Sequence, residues 1–348
     1  MILLLDISTM DKIDTEKMYK IYDQWAAIAS DSYNKKHNAI DFKDIDHIVF
    51  AGMGGSGAIG DLFSAILSKT NMHVSVVKGY LLPKTVDSTT LVVAVSISGN
   101  TAETLTVLDS AAKLDCNVVA FSSGGMMQQY CTKHGIEFRQ IRQTHSPRAS
   151  FINYVYSILG TLNSMIPIRR QDIAESIAGL QSLSKQISSA NLSKTNPSLD
   201  LANWISGIPL VYYPWGLQAA AVRFKSSLQE NAKTHAIIED VIEASHNGIM
   251  SWEKPSQVKP ILLQGRDDYT KTKERWAIFR EYFAKNNIDY KEVHSPGGSI
   301  LTKLACLIYM LDYASIYCAI LGGIDPSPVK SIDFVKERLN APDSPSEL

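Results

Sequence analysis

The chain has 348 residues, 45% hydrophobic and 20% charged, with a formal net charge of −1. That length suits two domains with cores of their own and excludes a disordered chain, while so small a net charge gives no grip on nucleic acid or an anionic membrane. The four cysteines, Cys116, Cys131, Cys306 and Cys318, lack both disulfide-framework and zinc spacing, which reads as reduced core thiols in a cytoplasmic protein.

In chain order, the apolar start Met1 to Leu5 has no basic leader and stops at Asp6, so it is not read as a secretory signal. Residues 10–35 place Met18, Ile21, Tyr22, Trp25 and Ile28 at helical spacing, and 1–40 is taken as an N-terminal helical segment. An alternation follows: strand 47–52, helix 56–69, strands 73–78 and 90–96, helix 101–114, strand 117–121, helix 124–133, strand 136–140. Short apolar strands between helical patterns predict an α/β, doubly wound domain over 41–165, its mostly parallel sheet flanked by helices.

Helices at 149–165 and 169–190 lead through a linker, 166–195. The Ser- and Asn-rich stretch Ser188 to Ser198 marks the boundary. The second domain, 196–322, repeats the plan with strand 208–213, helix 216–231, strand 259–264, helix 271–286, strand 289–293 and helix 299–321. That last helix carries Lys303 and Asp312 inside its apolar run, which predicts a buried helix rather than a membrane span. The tail, 323–348, is broken by Pro326 and Pro328 and restarts as a short helix over 329–339. Asn340 to Leu348 are expected to fray.

Two turns stand out. Ile48-Val49-Phe50-Ala51 runs into Gly52-Met53-Gly54-Gly55-Ser56-Gly57, and a second strand ends in Ser96-Ile97-Ser98-Gly99-Asn100-Thr101. Each offers backbone N–H groups, hydroxyls and a helix N-terminus, a combination that favours an anion. The first turn satisfies G-x-G-x-x-G, but a dinucleotide fold wants an acidic residue at the end of the next strand, and this chain has Val77-Lys78-Gly79 there. NADP stays open on that lysine. Two hydroxyl-rich turns suit one phosphomonoester better, held by Gly54, Gly55, Ser56, Ser96, Ser98, Gly99, Asn100 and Thr101. The alternative is that Ser96 and Ser98 only cap and shape the turn. The matching bend of the second half, Tyr212-Tyr213-Pro214-Trp215-Gly216, lacks these features, so the second domain is expected to have no anion site of its own.

The two glycine motifs resemble the sugar isomerase (SIS) domain. From about residue 40 onward the chain resembles the bifunctional phosphoglucose/phosphomannose isomerases. The resemblance includes Pro147-Arg148-Ala149, Tyr213-Pro214-Trp215-Gly216, Phe224-Lys225 through Glu230-Asn231-Ala232-Lys233, His246-Asn247 and Asp325-Pro326-Ser327-Pro328-Val329. It implies two SIS domains and an aldose–ketose isomerisation between glucose 6-phosphate, with mannose 6-phosphate, and fructose 6-phosphate. The reaction passes through a cis-enediol and needs neither metal nor cofactor.

The resemblance implies Glu230 as base. The residues agree: Glu230 lies off the stripe Leu217, Ala220, Ala221, Phe224 and Leu228, at a helix C-terminus whose partial negative charge favours proton uptake. Its side of the helix, shared with Ala219, Arg223 and Ser226, reads as open to a ligand or a second subunit. His246 is implied as the ring-opening group, contributed across a homodimer interface, although Gly248 stands where the family usually has an acidic residue. Arg148 is implied beside the enediolate, Lys336 as a tail lysine reaching the site, and a tail threonine of the family has no secure counterpart here. Eight histidines include no His-Glu-x-x-His, so no metal is expected. A non-catalytic sugar-phosphate-binding regulator and an isomerase of another phosphosugar remain open.

Overall fold

The computed structural model describes residues 5–36 and 40–339; the readings of the apolar start (Met1 to Leu4) and of Asn340 to Leu348 lie outside the described residues. The N-terminal segment is three short helices, α1 (Ile7–Ile13), α2 (Met18–Asp23) and α3 (Trp25–Asn34), where continuous periodicity predicts one. Lys17 takes a left-handed backbone, φ 57°, and ends the first run. Of the periodic residues Met18, Tyr22 and Trp25 are buried and Ile21 and Ile28 half-buried: the Tyr22 and Trp25 rings stack at 4.3 Å, and Trp25 Nε1 donates to the Ala149 carbonyl at 3.0 Å.

Then come β1 (His47–Ala51), α4 (Gly54–Leu67), β2 (His73–Val77), β3 (Thr90–Ser96), α5 (Ala102–Ala111), β4 (Asn117–Ser122), α6 (Gly125–His134), β5 (Glu137–Gln140) and α7 (Phe151–Thr161). The five strands form one parallel sheet in the order β2-β1-β3-β4-β5. β1 and β3 are buried along their whole length, as central strands covered on both faces must be, while the edge strand β2 is only partly buried. The order reverses between β1 and β3, and the crevice beyond the carboxyl ends of such a strand pair is where doubly wound sheets bind ligands.

α8 (Arg170–Ile187) and α9 (Pro197–Trp204) join the halves. The stretch read as the domain boundary is anchored by Asn196. This fully buried residue caps α9 through the Ser198 and Leu199 N–H groups and donates to the Ile187 and Asn191 carbonyls. The second half holds β6 (Ile208–Tyr213), α10 (Gln218–Asn231), β7 (Ile237–Asp240), α11 (Val241–Ala244), β8 (Val258–Gln264), α12 (Thr270–Lys285), β9 (Lys291–His294), α13 (Ile300–Leu321) and α14 (Lys330–Leu339). Its parallel sheet runs β7-β6-β8-β9. β7, absent from the strand pattern above, is a four-residue edge strand, Ile-Ile-Glu-Asp, too short and too polar to stand out.

Two parallel sheets, each flanked by helices, and a short C-terminal helix make up the fold. A single apolar cluster runs through both halves. α13 is long and apolar enough to cross a membrane, and 83% of its most apolar window is buried within the molecule, against α8, α9 and α10. α4, which follows the first glycine turn, packs directly on α10.

Candidate active site

The first turn is built on close approach. A Cβ on Gly52 would lie 2.8 Å from the Val95 carbonyl oxygen, and one on Gly57 would lie 2.7 Å from the Gly52 carbonyl oxygen. Side chains there would push α4 off the strand ends. The first turn of α4 leaves the Gly54 and Gly55 N–H groups without intrahelical acceptors, facing the β1/β3 crevice. The second turn is tighter: Gly99 has φ +75°, and a Cβ would sit 1.9 Å from the Gly124 carbonyl oxygen.

The hydroxyls divide into two sets. Ser96, 1% exposed, shares a hydrogen with Thr101 at 2.9 Å and accepts from the Gly99 N–H at 3.1 Å. Ser56 is buried and accepts from the Ile97 N–H at 3.3 Å, tying one turn to the other. Asn100 Oδ1 accepts from the Met126 N–H at 3.0 Å. Ser98 is exposed and Thr101 half-buried. Ser98 likewise accepts from the Asn100 N–H at 3.3 Å, so all four hydroxyls help shape the turns; Ser56 and Ser96 are buried, and Ser98 with the backbone N–H groups forms the open surface.

Arg148 and Glu230 meet beside the first turn. A Cβ on Gly55 would lie 3.5 Å from the Arg148 Cα. The Arg148 side chain is 5% exposed: Nε donates to Asn231 Oδ1 at 2.7 Å, Nη2 to the Pro326 and Ser327 carbonyls at 2.6 and 3.0 Å, and Nη1 reaches Glu230 Oε2 at 3.4 Å. One guanidinium thus gathers the end of α10, the tail and the candidate base around the glycine turn.

Behind it lies a fully buried ion pair. Arg223 on α10 binds Asp312 on α13 at 2.7 Å, and its Nη2 also donates to the Arg148 carbonyl at 2.8 Å. Ser227 donates to the same carboxylate at 2.5 Å, and the Arg223 guanidinium lies 4.6 Å from the centre of the Phe151 ring. Burial is the largest single influence on Arg223 and depresses its pKa; the Asp312 charge, together with Tyr22, the Asp312 hydrogen bond and Glu230, outweighs it, and the pKa is raised. The side of α10 read as open is therefore packed at Ala219 and Arg223, each 3% exposed, and half-buried at Ser226. The helix end opens outward.

There a cavity of about 770 Å³ is lined by Glu230, Lys233, Thr234, His235, Pro328 and Lys330, among others. Lys233 Nζ donates to the Glu230 and Pro328 carbonyls at 2.5 and 2.8 Å, and burial, then the neighbouring Arg148 charge, lower its pKa. Lys233 and His235 were missed as site residues; the Glu-Asn-Ala-Lys motif that singles out Glu230 could have flagged the lysine. Ser327 is 9% exposed, and its hydroxyl has no hydrogen-bond partner among the described residues. The tail is held from the other side by Thr15 Oγ1, which donates to Asp325 at 2.6 Å.

Two expected residues are not part of this cluster. Lys336 lies on α14, exposed, whereas Lys330 at the start of that helix lines the cavity. His246 follows α11 as an exposed residue, with no side-chain partner among the described residues. Gly248 in its loop has a local cause: a Cβ there would lie 2.1 Å from Glu239 Oε1. A carboxylate from β7 fills the space that a side chain at 248 would need. Burial, then the Glu243 charge, raise the Glu239 pKa. Among the described residues no group of three or more His, Cys, Asp or Glu side chains is arranged to hold a metal ion.

Paired parallel sheets with two glycine turns at the switch point of the first define a doubly wound α/β protein of SIS type. Residues 41–152 match the SIS domain model, and residues 194–339 match the model for the bacterial phospho-glucose isomerase C-terminal SIS domain. The chain belongs to the SIS-domain phosphosugar isomerase family. It is 32% identical over 312 residues to the bifunctional phosphoglucose/phosphomannose isomerase of Caldicellulosiruptor bescii, covering 85% of this chain and 90% of that one. It is 26% identical over 324 residues to the D-glucosamine-6-phosphate 4-epimerase of Sulfolobus acidocaldarius, covering 92% and 97%. In fold it is similar to a hypothetical protein of Thermus thermophilus, with a TM-score of 0.69 at 14% identity over 96% of this chain and 90% of that one.

Proposed function

We propose that this protein interconverts glucose 6-phosphate, and mannose 6-phosphate, with fructose 6-phosphate, without metal or cofactor. The observation that carries the reading is the meeting of Arg148 and Glu230 at 3.4 Å beside the Gly54-Gly55 turn. The phosphoryl group sits on the N–H groups of the two turns and on Ser98. The Glu230 carboxylate takes the C2 proton of the open-chain aldose as the C1 carbonyl oxygen is protonated, which leaves a cis-enediol. The same carboxyl group then returns its proton to C1 as the O2 proton leaves, giving the ketose. Arg148 Nη1 stabilises negative charge on the enediolate oxygens.

In this reading His246 opens the sugar ring from a second copy of the chain, which makes the active form a homodimer. The exposure of His246, away from its own chain's Glu230 cavity, supports that arrangement. Four free cysteines support a cytoplasmic setting.

The test is a coupled assay on both hexose 6-phosphates with chelator present. Turnover of glucose 6-phosphate, lost in Glu230→Gln, is the expected result. Binding of fructose 6-phosphate without turnover would make the protein a regulator. The relative named as a 4-epimerase favours a second reading, action at C4 of an amino sugar phosphate; glucosamine 6-phosphate as the sole substrate would establish it.

A further inference from the structure

A second concave, cationic place lies at the far edge of the first sheet from β2. A cavity of about 340 Å³ opens where the end of α3, the end of β5 and a face of α7 meet. Lys35, Lys36, Arg139 and Arg142 line it, with Asp31 as the one carboxylate among its described lining residues. Arg139 is paired with Glu137. No carboxylate among the described residues pairs with Lys35, Lys36 or Arg142, all of which are exposed.

At its base Asn153 accepts from Ser32 Oγ at 2.8 Å and from Ser157 Oγ at 3.3 Å, while its Nδ2 donates to the Arg142 carbonyl at 2.9 Å. With Arg139 already paired, three further cations, Lys35, Lys36 and Arg142, stand against Asp31 in a chain whose net charge is −1, which is a local concentration and not general basicity. A concave surface focuses that field, and like charges held together are relieved by a bound anion. The volume is at the low end for small-ligand pockets, about 300–1,000 Å³. It has room for one or two phosphoryl groups.

We propose that this cavity is an effector site for a small, multiply charged phosphorylated anion. It is separate from the glycine turns, which lie beyond β1 and β3. It is nevertheless joined to the candidate active site by the chain itself. β5 continues through Ile141, whose carbonyl accepts from Tyr154 at 2.8 Å, and Arg142. The segment then turns at Thr144, whose N–H and carbonyl bond Ser150 Oγ at 2.8 and 3.0 Å, and delivers Arg148. An anion that draws Arg142 inward acts on the strand end from which the Arg148 loop hangs.

The experiment is calorimetric titration of inorganic pyrophosphate into the full chain saturated with fructose 6-phosphate. It is run on the wild type and on a Lys36→Gln/Arg142→Gln variant. The expected result is one pyrophosphate per wild-type chain and affinity roughly tenfold or more weaker in the variant, a loss of at least about 1.4 kcal/mol. The variant's melting temperature and fructose 6-phosphate binding should be unchanged. No saturable binding by the wild type, or undiminished binding by the variant, overturns the proposal. A failure of fructose 6-phosphate itself to bind counts against the isomerase reading and leaves the wild-type-to-variant comparison interpretable.

Discussion

Arg148 spends its donors unequally. Nε and Nη2 are committed to Asn231 and to two tail carbonyls at 3.0 Å or less, whereas Nη1 makes only the 3.4 Å contact with Glu230. The edge left to donate to a bound oxygen is therefore the edge that faces Glu230, the proposed base. Glu230→Gln keeps the shape and removes the proton acceptor, so kcat should fall by roughly 10²–10⁴-fold with the melting temperature unchanged. Retention of more than about a tenth of wild-type kcat would remove Glu230 from the mechanism. Ser327 makes a finer prediction. Its buried hydroxyl lacks a partner among the described residues, and its carbonyl accepts from the Arg148 guanidinium beside Glu230. Ser327→Ala should change the ratio of kcat/KM on mannose 6-phosphate to that on glucose 6-phosphate more than it changes stability; an unchanged ratio would separate the tail from C2 discrimination.

At the scale of elements, the site depends on α10 keeping its place between α4 and α13, and the Arg223–Asp312 pair sets that place. Removing one partner of a buried pair leaves an uncompensated charge at a cost of about 3–5 kcal/mol, whereas replacing both by apolar residues is often near neutral. Arg223→Met should lower unfolding free energy in denaturant by about that amount, and Arg223→Met with Asp312→Leu should recover most of it. Equal losses in the single and double variants would show that the pair is not the clamp. β1 and β2 carry a pH dependence of their own, because the rings of His47 and His73 lie 4.5 Å apart at the starts of the two strands. Burial, and after it the His73 ring, lower the His47 pKa. The unfolded chain then binds the proton more readily. Stability is full above about pH 6.5 and is lost as pH falls through the lowered folded value. His47→Asn should flatten the melting temperature between about pH 7 and 5; the same slope in both proteins would place the titration elsewhere.

The elements also show what the chain made legible. Strands β1 and β3 and both glycine turns could be read directly, because buried parallel strands are uninterrupted apolar runs and the turns need glycine for close approach. α9 was legible in principle: Asn196-Pro197 is an N-cap followed by proline at the first helical position, a start signal hidden by the polar residues around it. The pairing of Arg223 with Asp312 had no local signal, since 89 residues separate the partners. For the same reason sequence spacing could not tell that Lys330, and not Lys336, lines the Glu230 cavity within one chain, or that Ser96 and Thr101 would bond each other.

At the scale of the whole molecule, one apolar cluster unites the two sheets, and the candidate site forms where β1, α10 and the tail converge. His246 lies outside that convergence. If a second copy supplies it, two inactive variants, Glu230→Gln and His246→Gln, should regain activity when unfolded and refolded together, because mixed dimers contain one intact site. Activity that stays absent in the mixture would argue for a site complete within one chain. The central claim is that a phosphosugar spans from the glycine turns to Glu230, and a crystal soaked with fructose 6-phosphate tests it most directly. The phosphoryl group should lie on the Gly54, Gly55 and Ser98 donors with C1 and C2 within hydrogen-bonding reach of the Glu230 carboxylate. A phosphoryl group bound elsewhere, or a Glu230 turned away from those carbons, would contradict the account.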